Sequence, residues 1–214
     1  METVDKRICL EILDRGLKNS WYYYSSGREA HAYYNIDIAM LGETSPSDQL
    51  RAIEKLADQF ARAIAEIDKE EPFDRLAFID KAGHGPVGMI ALSSLLILKT
   101  HKEAIFVRPY RNSRRSITEG RPLRSDERVL IVSDVATTGG TVLKAAAKLW
   151  DVGALVRGVL VFFDQELGAS ETLQRKDIRL YRILTRNEAR QEPEMAERLH
   201  DTHAKTIREF GGVM

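Results

Sequence analysis

The chain has 214 residues, 43% of them hydrophobic and 30% charged, the balance of an ordinary globular protein with room for one sizeable core. Lys+Arg and Asp+Glu both number 32, which excludes a surface built wholly for nucleic acid or an anionic membrane, a local basic patch excepted. The single cysteine, Cys9, excludes an internal disulfide, residues 1–7 are polar rather than a secretory leader, and no apolar run approaches the ~20 residues of a membrane span.

In chain order, Val4, Ile8, Ile12 and Leu13 recur at helical spacing, with Cys9 as a core residue among them and Gly16 as the stop. "WYYYSSGREAHAYYNIDIAML" reads as two short strands, or an extended hood, around Ser25-Ser26-Gly27. Ser45-Pro46 reads as an N-cap and first helical residue. Leu50, Ile53, Leu56, Ala57, Phe60, Ile64 and Ile67 then share one helical face. From residue 76 the pattern alternates: strand "LAFI", helix "GPVGMIALSSLLILK", strands "AIFV" and "RVLIV", helix "TVLKAAAKLW", strand "LVRGVLVFF", a short helix over 168–175, and strand "IRLYRIL". A charged helical tail follows from Asn187, broken by Pro193. Alternation means parallel βαβ units, and continuously apolar strands mean a sheet covered on both faces. The expectation is therefore an α/β protein with a central, mostly parallel sheet flanked by helices. It forms one domain over 1–214, with a core sheet over 76–184 and a small N-terminal hood over 1–45.

Ligands of an open α/β sheet sit outside the carboxyl ends of its strands. Three loops leave those ends: "DKAGHGPVG" (80–88), "RPYRNSRRSITEGRPLRSDE" (108–127) and "SDVATTGGT" (133–141). The first holds a G-x-G-x-x-G, Gly83, Gly85 and Gly88, so a dinucleotide-dependent oxidoreductase is one reading. That reading wants an acid at the end of the next strand, where Arg108 stands, and has no use for Lys81 and His84.

The third loop says more. Thr137, Thr138, Gly139, Gly140 and Thr141 lie between a buried strand and a helix start. Glycines let the backbone wrap an anion, first-turn amides point at it, and the helix dipole favours it. No lysine follows the glycines, which disfavours a nucleoside triphosphatase. Asp134, just before the cradle, would repel a phosphate but would accept hydrogen bonds from sugar hydroxyls beside one. A ribose 5-phosphate moiety satisfies both groups.

"VLIVSDVATTGG" resembles the 5-phosphoribosyl-1-pyrophosphate (PRPP) signature of type I phosphoribosyltransferases. "SSGREAHAYYNIDIAML", "ITEGRPLRSDERVLIV" and "LVFFDQELGASETLQRKDIRLYRILT" are similar, in the same order, to the orotate phosphoribosyltransferase branch. The resemblance implies the type I phosphoribosyltransferase fold. It implies that Ala136 to Thr141 hold the 5′-phosphate, and that Ser133 and Asp134 hold the ribose, Asp134 also meeting Mg²⁺. It implies that Lys81, Ala82, Gly83, His84, Gly85 and Arg108 serve pyrophosphate, and Arg28, Tyr33, Tyr34 and Gln165 the base. Residues 109–120 would form a mobile loop closing over the site of a partner in a homodimer, bringing Arg111, Arg114 and Arg115. Those arginines and Asp134 form the expected catalytic set. A cytoplasmic enzyme contacting neither membrane nor nucleic acid is the expected setting.

Four positions depart from that branch. Ser133 replaces the first of two adjacent acids, the mobile loop carries arginines in place of lysines and a histidine, Ser25 replaces a lysine, and Gln165 replaces an arginine that meets the orotate carboxylate. An active transferase acting on orotate or another heterocyclic base, with pyrophosphate and a nucleoside monophosphate as products, and a PRPP- or nucleotide-sensing protein on the same fold both follow. A carboxylate buried without a cationic partner costs several kcal/mol. Orotate turnover is therefore expected to be slow unless an arginine such as Arg28 substitutes, and Gln165→Arg is expected to raise it.

Overall fold

The computed structural model describes residues 3–23, 29–42, 45–79, 87–108, 118–119 and 121–199. Helix α1 (Lys6–Gly16) starts where the Asp5 side chain accepts from the amides of Arg7 and Ile8, and buries Cys9, Ile12 and Leu13. Strands β1 (Leu17–Tyr23) and β2 (Glu29–Tyr34) form a separate antiparallel pair. Helix α2 (Ile36–Leu41) follows, where the sequence reading had only extended hood. The Asn35 side chain caps it by accepting from Asp37 N and Ile38 N, and docking buries Ile36, Ala39 and Met40. A six-residue apolar segment carries too few turns for periodicity to declare itself.

Helix α3 (Pro46–Glu70) begins with the expected Ser45 cap and Pro46. Its buried face runs from Ala52 to Ile67; Leu50, placed on that face by spacing, is 54% exposed. Then come β3 (Arg75–Ile79), α4 (Val87–Thr100), β4 (Glu103–Val107) and the two-residue β5 (Thr118–Glu119). They are followed by β6 (Arg128–Ala136), α5 (Gly140–Trp150), β7 (Leu155–Asp164), α6 (Ala169–Gln174), β8 (Arg179–Thr185), α7 (Arg186–Ala189) and α8 (Pro193–Arg198).

The large sheet has the order β5-β4-β3-β6-β7-β8. All neighbours pair in parallel except β5, an antiparallel edge on β4 that the sequence did not announce. Side chains alternate between its two faces. Leu76, Phe78, Leu130, Val132, Leu160 and Phe162 face α1, α3 and α4. Ala77, Ile79, Val129, Ile131, Val159 and Val161 face α5 and α6. No helix of the described residues is long and apolar enough to cross a membrane.

Cys9 is fully buried, and burial, with Asp5 and Glu188 nearby, pushes its thiol up to about 12. The raised value favours the neutral thiol. Its contribution to stability is present below the ordinary thiol range, ~8.5, and is lost as pH rises toward 12. A thiol held neutral is a poor nucleophile. The native protein is expected to resist an aromatic disulfide reagent at about pH 8 and to titrate one thiol on unfolding. Fast labelling of the folded protein would contradict the burial.

Candidate active site

The chain steps outward from β3 to β4 on one side and from β6 through β7 to β8 on the other, so the strand order reverses between β3 and β6. A crevice opens at the carboxyl ends beside such a switch point. The end of β6 and the start of α5 both lie there.

β6 runs further than expected. Ser133, Asp134 and Val135 are strand rather than loop, because pairing with β7 continues to Ala136 opposite Asp164, and Gln165 N donates to Ala136 O at 2.9 Å. Only Thr137, Thr138 and Gly139 make the turn into α5. Gly139 stands at the helix cap with φ +80°, a conformation that L side chains avoid. It contributes no side-chain hydrogen bond to the first turn of α5, where amides and the dipole favour an anion. A Cβ there would come 3.3 Å from Leu173 Cγ and 3.4 Å from Ala169 O, so α6 supports the turn from behind. Thr137, Thr138 and Thr141 are half-buried and Gly140 is exposed.

Ser133 and Asp134 are 4% and 7% exposed, and Ser133 Oγ donates to Asp134 Oδ1 at 3.2 Å. The structure thus sets the two ribose candidates directly before the threonine–glycine turn, at one strand end. Arg108 follows β4, half-buried, at the same edge of the sheet. Lys81, Ala82, Gly83, His84 and Gly85, the loop arginines Arg111, Arg114 and Arg115, and Arg28 lie outside the described residues. Tyr33 is described through its backbone, which pairs with Lys18 in the β1–β2 ladder.

Tyr34 departs from the base-facing role. Its ring is 1% exposed, packed 5.3 Å from the ring of Phe162 and 6.3 Å from that of Phe163. The apolar face of β7 claims the ring for the core. Gln165 is also 1% exposed; its Oε1 accepts from Arg186 Nη1 at 3.1 Å, and its Nε2 has no hydrogen-bond partner among the described residues. Asp164 beside it accepts from Glu166 N at 2.9 Å and from Arg182 Nη1 at 3.4 Å. Burial raises its carboxyl above the ordinary range despite those bonds.

Two residues escaped the sequence reading. Arg186 follows β8 at its carboxyl end, held by the capping box of Thr185 and Glu188 and by donation of Nη2 to Leu199 O at 2.8 Å. Its position at the end of the last parallel strand was the available signal. Asp37 Oδ1 accepts from Gly88 N at 2.7 Å and so ties α2 to the start of α4. A Cβ on Gly88 would come 2.2 Å from Met40 Cε, so this glycine answers to the approach of α2 rather than to a dinucleotide. A groove of about 900 Å³ runs along β8, lined by Trp150, Arg157, Lys176 and Tyr181 among others. It shares no residue with the cradle.

No family model matches the chain. The orotate phosphoribosyltransferase of Pyrococcus horikoshii is 31% identical over 186 residues, covering 86% of this chain and 91% of the relative. That of Thermococcus kodakarensis is 34% identical over 159 residues, 72% of this chain and 76% of the relative. The crystal structure of the Aeropyrum pernix orotate phosphoribosyltransferase matches with a TM-score of 0.64 and 25% identity, over 86% of this chain and 97% of that one. Identity of 31% over 86% of this chain and 91% of the Pyrococcus relative leaves no room for the oxidoreductase reading: the chain belongs to the orotate phosphoribosyltransferase family of type I phosphoribosyltransferases.

Proposed function

We propose that the protein transfers the 5-phosphoribosyl group of PRPP to orotate or a related heterocyclic base. The observation that carries this is the order along β6 and α5: a buried serine and carboxylate, two threonines, and a left-handed glycine at an anion-favouring helix start, in a chain of this family. Ala136 to Thr141 hold the 5′-phosphate, and Ser133 and Asp134 accept from or donate to the ribose hydroxyls. Lys81 to Gly85 and Arg108 face the pyrophosphate, over which Arg111, Arg114 and Arg115 close. A ring nitrogen of the base bonds to the anomeric carbon while the bond to pyrophosphate breaks and its electron pair leaves with the pyrophosphate. Positive charge builds on the ribose, and the residues contribute orientation and electrostatic stabilisation rather than a covalent nucleophile.

The donor set suits Mg²⁺ shared with the substrate. It offers the Asp134 carboxylate beside the Ser133 hydroxyl, and Mg²⁺ takes one or two carboxylates together with substrate phosphates and water. Such an ion, when bound, neutralises charge on the leaving pyrophosphate. We further infer that 1–214 works as one catalytic domain with 1–45 as its hood, in the cytoplasm, and as a homodimer. The exposed apolar Ile90, Ile97 and Leu98 of α4 support association.

Arg186 alters the expectation for the base. It donates to Gln165, and we infer that this guanidinium serves an anionic base in place of an arginine at 165. Gln165→Arg alone would set two guanidiniums together, and is now expected to lower orotate turnover. Arg186→Ala is expected to lower kcat/KM for orotate roughly 10- to 100-fold, the value of one charged hydrogen bond, with PRPP affinity unchanged. The assay is the ultraviolet-monitored loss of orotate with PRPP and Mg²⁺. Equal rates for wild type and Arg186→Ala would remove Arg186 from the base site. Tight PRPP binding without turnover of orotate or any other base would favour the sensing protein, a reading that the loss of the acid at Ser133 keeps in view.

A further inference from the structure

β6 and β7 pair with Ser133 opposite Val161 and Val135 opposite Phe163, so Asp134 stands beside Phe162. Leu130 and Val132, at alternate positions before it, belong to the same core face as Phe162. On that face Tyr34, the last residue of β2, lays its ring against Phe162 and Phe163. The side chain is 1% exposed and its hydroxyl has no hydrogen-bond partner among the described residues. A buried hydroxyl left unsatisfied is unfavourable, and phenylalanine would fill the same space without that penalty. Packing therefore accounts for the ring and not for the oxygen. Nor is the ring at liberty to turn elsewhere. Gly16 approaches so closely that a Cβ there would come 2.5 Å from Tyr34 Cε2. Burial first, and then the Asp134 carboxylate, pushes the phenol well above its ordinary range, so its hydroxyl stays a donor.

We propose that Tyr34 is a positioning residue for the ribose-binding carboxylate: with PRPP in the site, its hydroxyl donates to Asp134 and holds the carboxylate toward the ribose hydroxyls. This rests on the reading of Asp134 given above. A carboxylate accepts about four hydrogen bonds, so the bond from Ser133 does not by itself exclude phenol and ribose. The bond forms in the liganded protein, which makes it one of the interactions that favour PRPP.

The test uses the full chain and its Tyr34→Phe variant, with PRPP and inorganic phosphate as probes in the presence of Mg²⁺. PRPP affinity by calorimetry is expected to weaken about tenfold in the variant, the value of a hydrogen bond to a charged group. Phosphate affinity is expected to stay the same, because phosphate meets the cradle and not Asp134. The ligand-free Tm should equal or exceed that of wild type, since only an unsatisfied group is lost. The tyrosine ultraviolet difference signal that PRPP induces in wild type should be missing. Unchanged PRPP affinity overturns the proposal. A lowered Tm, or equal losses for PRPP and phosphate, also overturns it by showing a structural role. A wild type that binds phosphate but not PRPP overturns the ribose reading itself, whatever Tyr34→Phe does.

Discussion

Thr138→Val combined with Gly139→Ala is expected to abolish PRPP binding while leaving the protein folded. The alanine must adopt φ +80°, a left-handed conformation that costs roughly 1–2 kcal/mol for a residue with a Cβ. Its methyl would also press on Leu173 Cγ and Ala169 O at 3.3 and 3.4 Å, distances at which backbone or helix must give. The turn can relax only by moving away from α6, which shifts the first amides of α5 off the phosphate. The valine removes a hydroxyl donor beside them. Hydrogen bonds to a charged group are worth roughly 1.5–3 kcal/mol each, so losing two should weaken PRPP on the order of a hundredfold or more. The sheet is untouched, because the turn lies beyond the last β6–β7 pair, Ala136 with Asp164. Circular dichroism and Tm check the fold, and calorimetry checks affinity. A folded variant that binds PRPP as wild type does would sink the phosphate-cradle assignment.

Arg75→Ala is expected to cost a large part of the stability held at the amino ends of the strands. Arg75 begins β3 and is 1% exposed. Its Nε lies 3.2 Å from Glu127 and its Nη2 3.1 Å from Glu103, within ion-pair distance but out of hydrogen-bond alignment, while Nη1 donates to Arg121 O at 2.8 Å. Glu127 is itself 7% exposed. Removing one partner of a buried ion pair costs about 3–5 kcal/mol because the other charge stays buried. Two contacts reduce that here: Glu127 also accepts from Arg121 Nη2 at 3.0 Å and from Arg124 N at 2.8 Å. Roughly 2–4 kcal/mol is therefore expected in urea unfolding, with the Tm falling by several degrees. Arg75→Met, which retains the stem, should lose less. A loss under about 1 kcal/mol for Arg75→Ala would mean that Arg121 alone satisfies Glu127. Because Arg121 follows residues 109–120, the variant should also weaken PRPP if those residues close over the site.

Most of the functional assignment was legible in the linear chain because its signals are local. A strand, its carboxylate and a threonine–glycine turn sit within one stretch, 129–141. Backbone conformation there is dictated by residue type: Gly139 is left-handed because nothing with a Cβ is comfortable at φ +80°. The alternation of apolar strands and helices from residue 76 likewise follows from periodicity. It sufficed for a parallel α/β sheet, as did Ser45 and Pro46 for one helix start.

What the linear chain could not decide depended on partners remote in sequence. Whether Ser133 and Asp134 are strand or loop turned on pairing with β7, which continues to Asp164. Tyr34 and Tyr33 are neighbours of one type, and only packing against Phe162 and Phe163 assigned the first to the core. Gln165 by itself marks a missing cation, and only the fold sets Arg186 3.1 Å from it, across a gap of 21 residues in the chain. Local propensity fixes backbone angles over a few residues, whereas burial and charge pairing are set by whatever the fold brings alongside. Residue type and spacing therefore determined the turn and the hydrogen-bonding groups offered at the end of β6, and tertiary contact decided which side chains surround them.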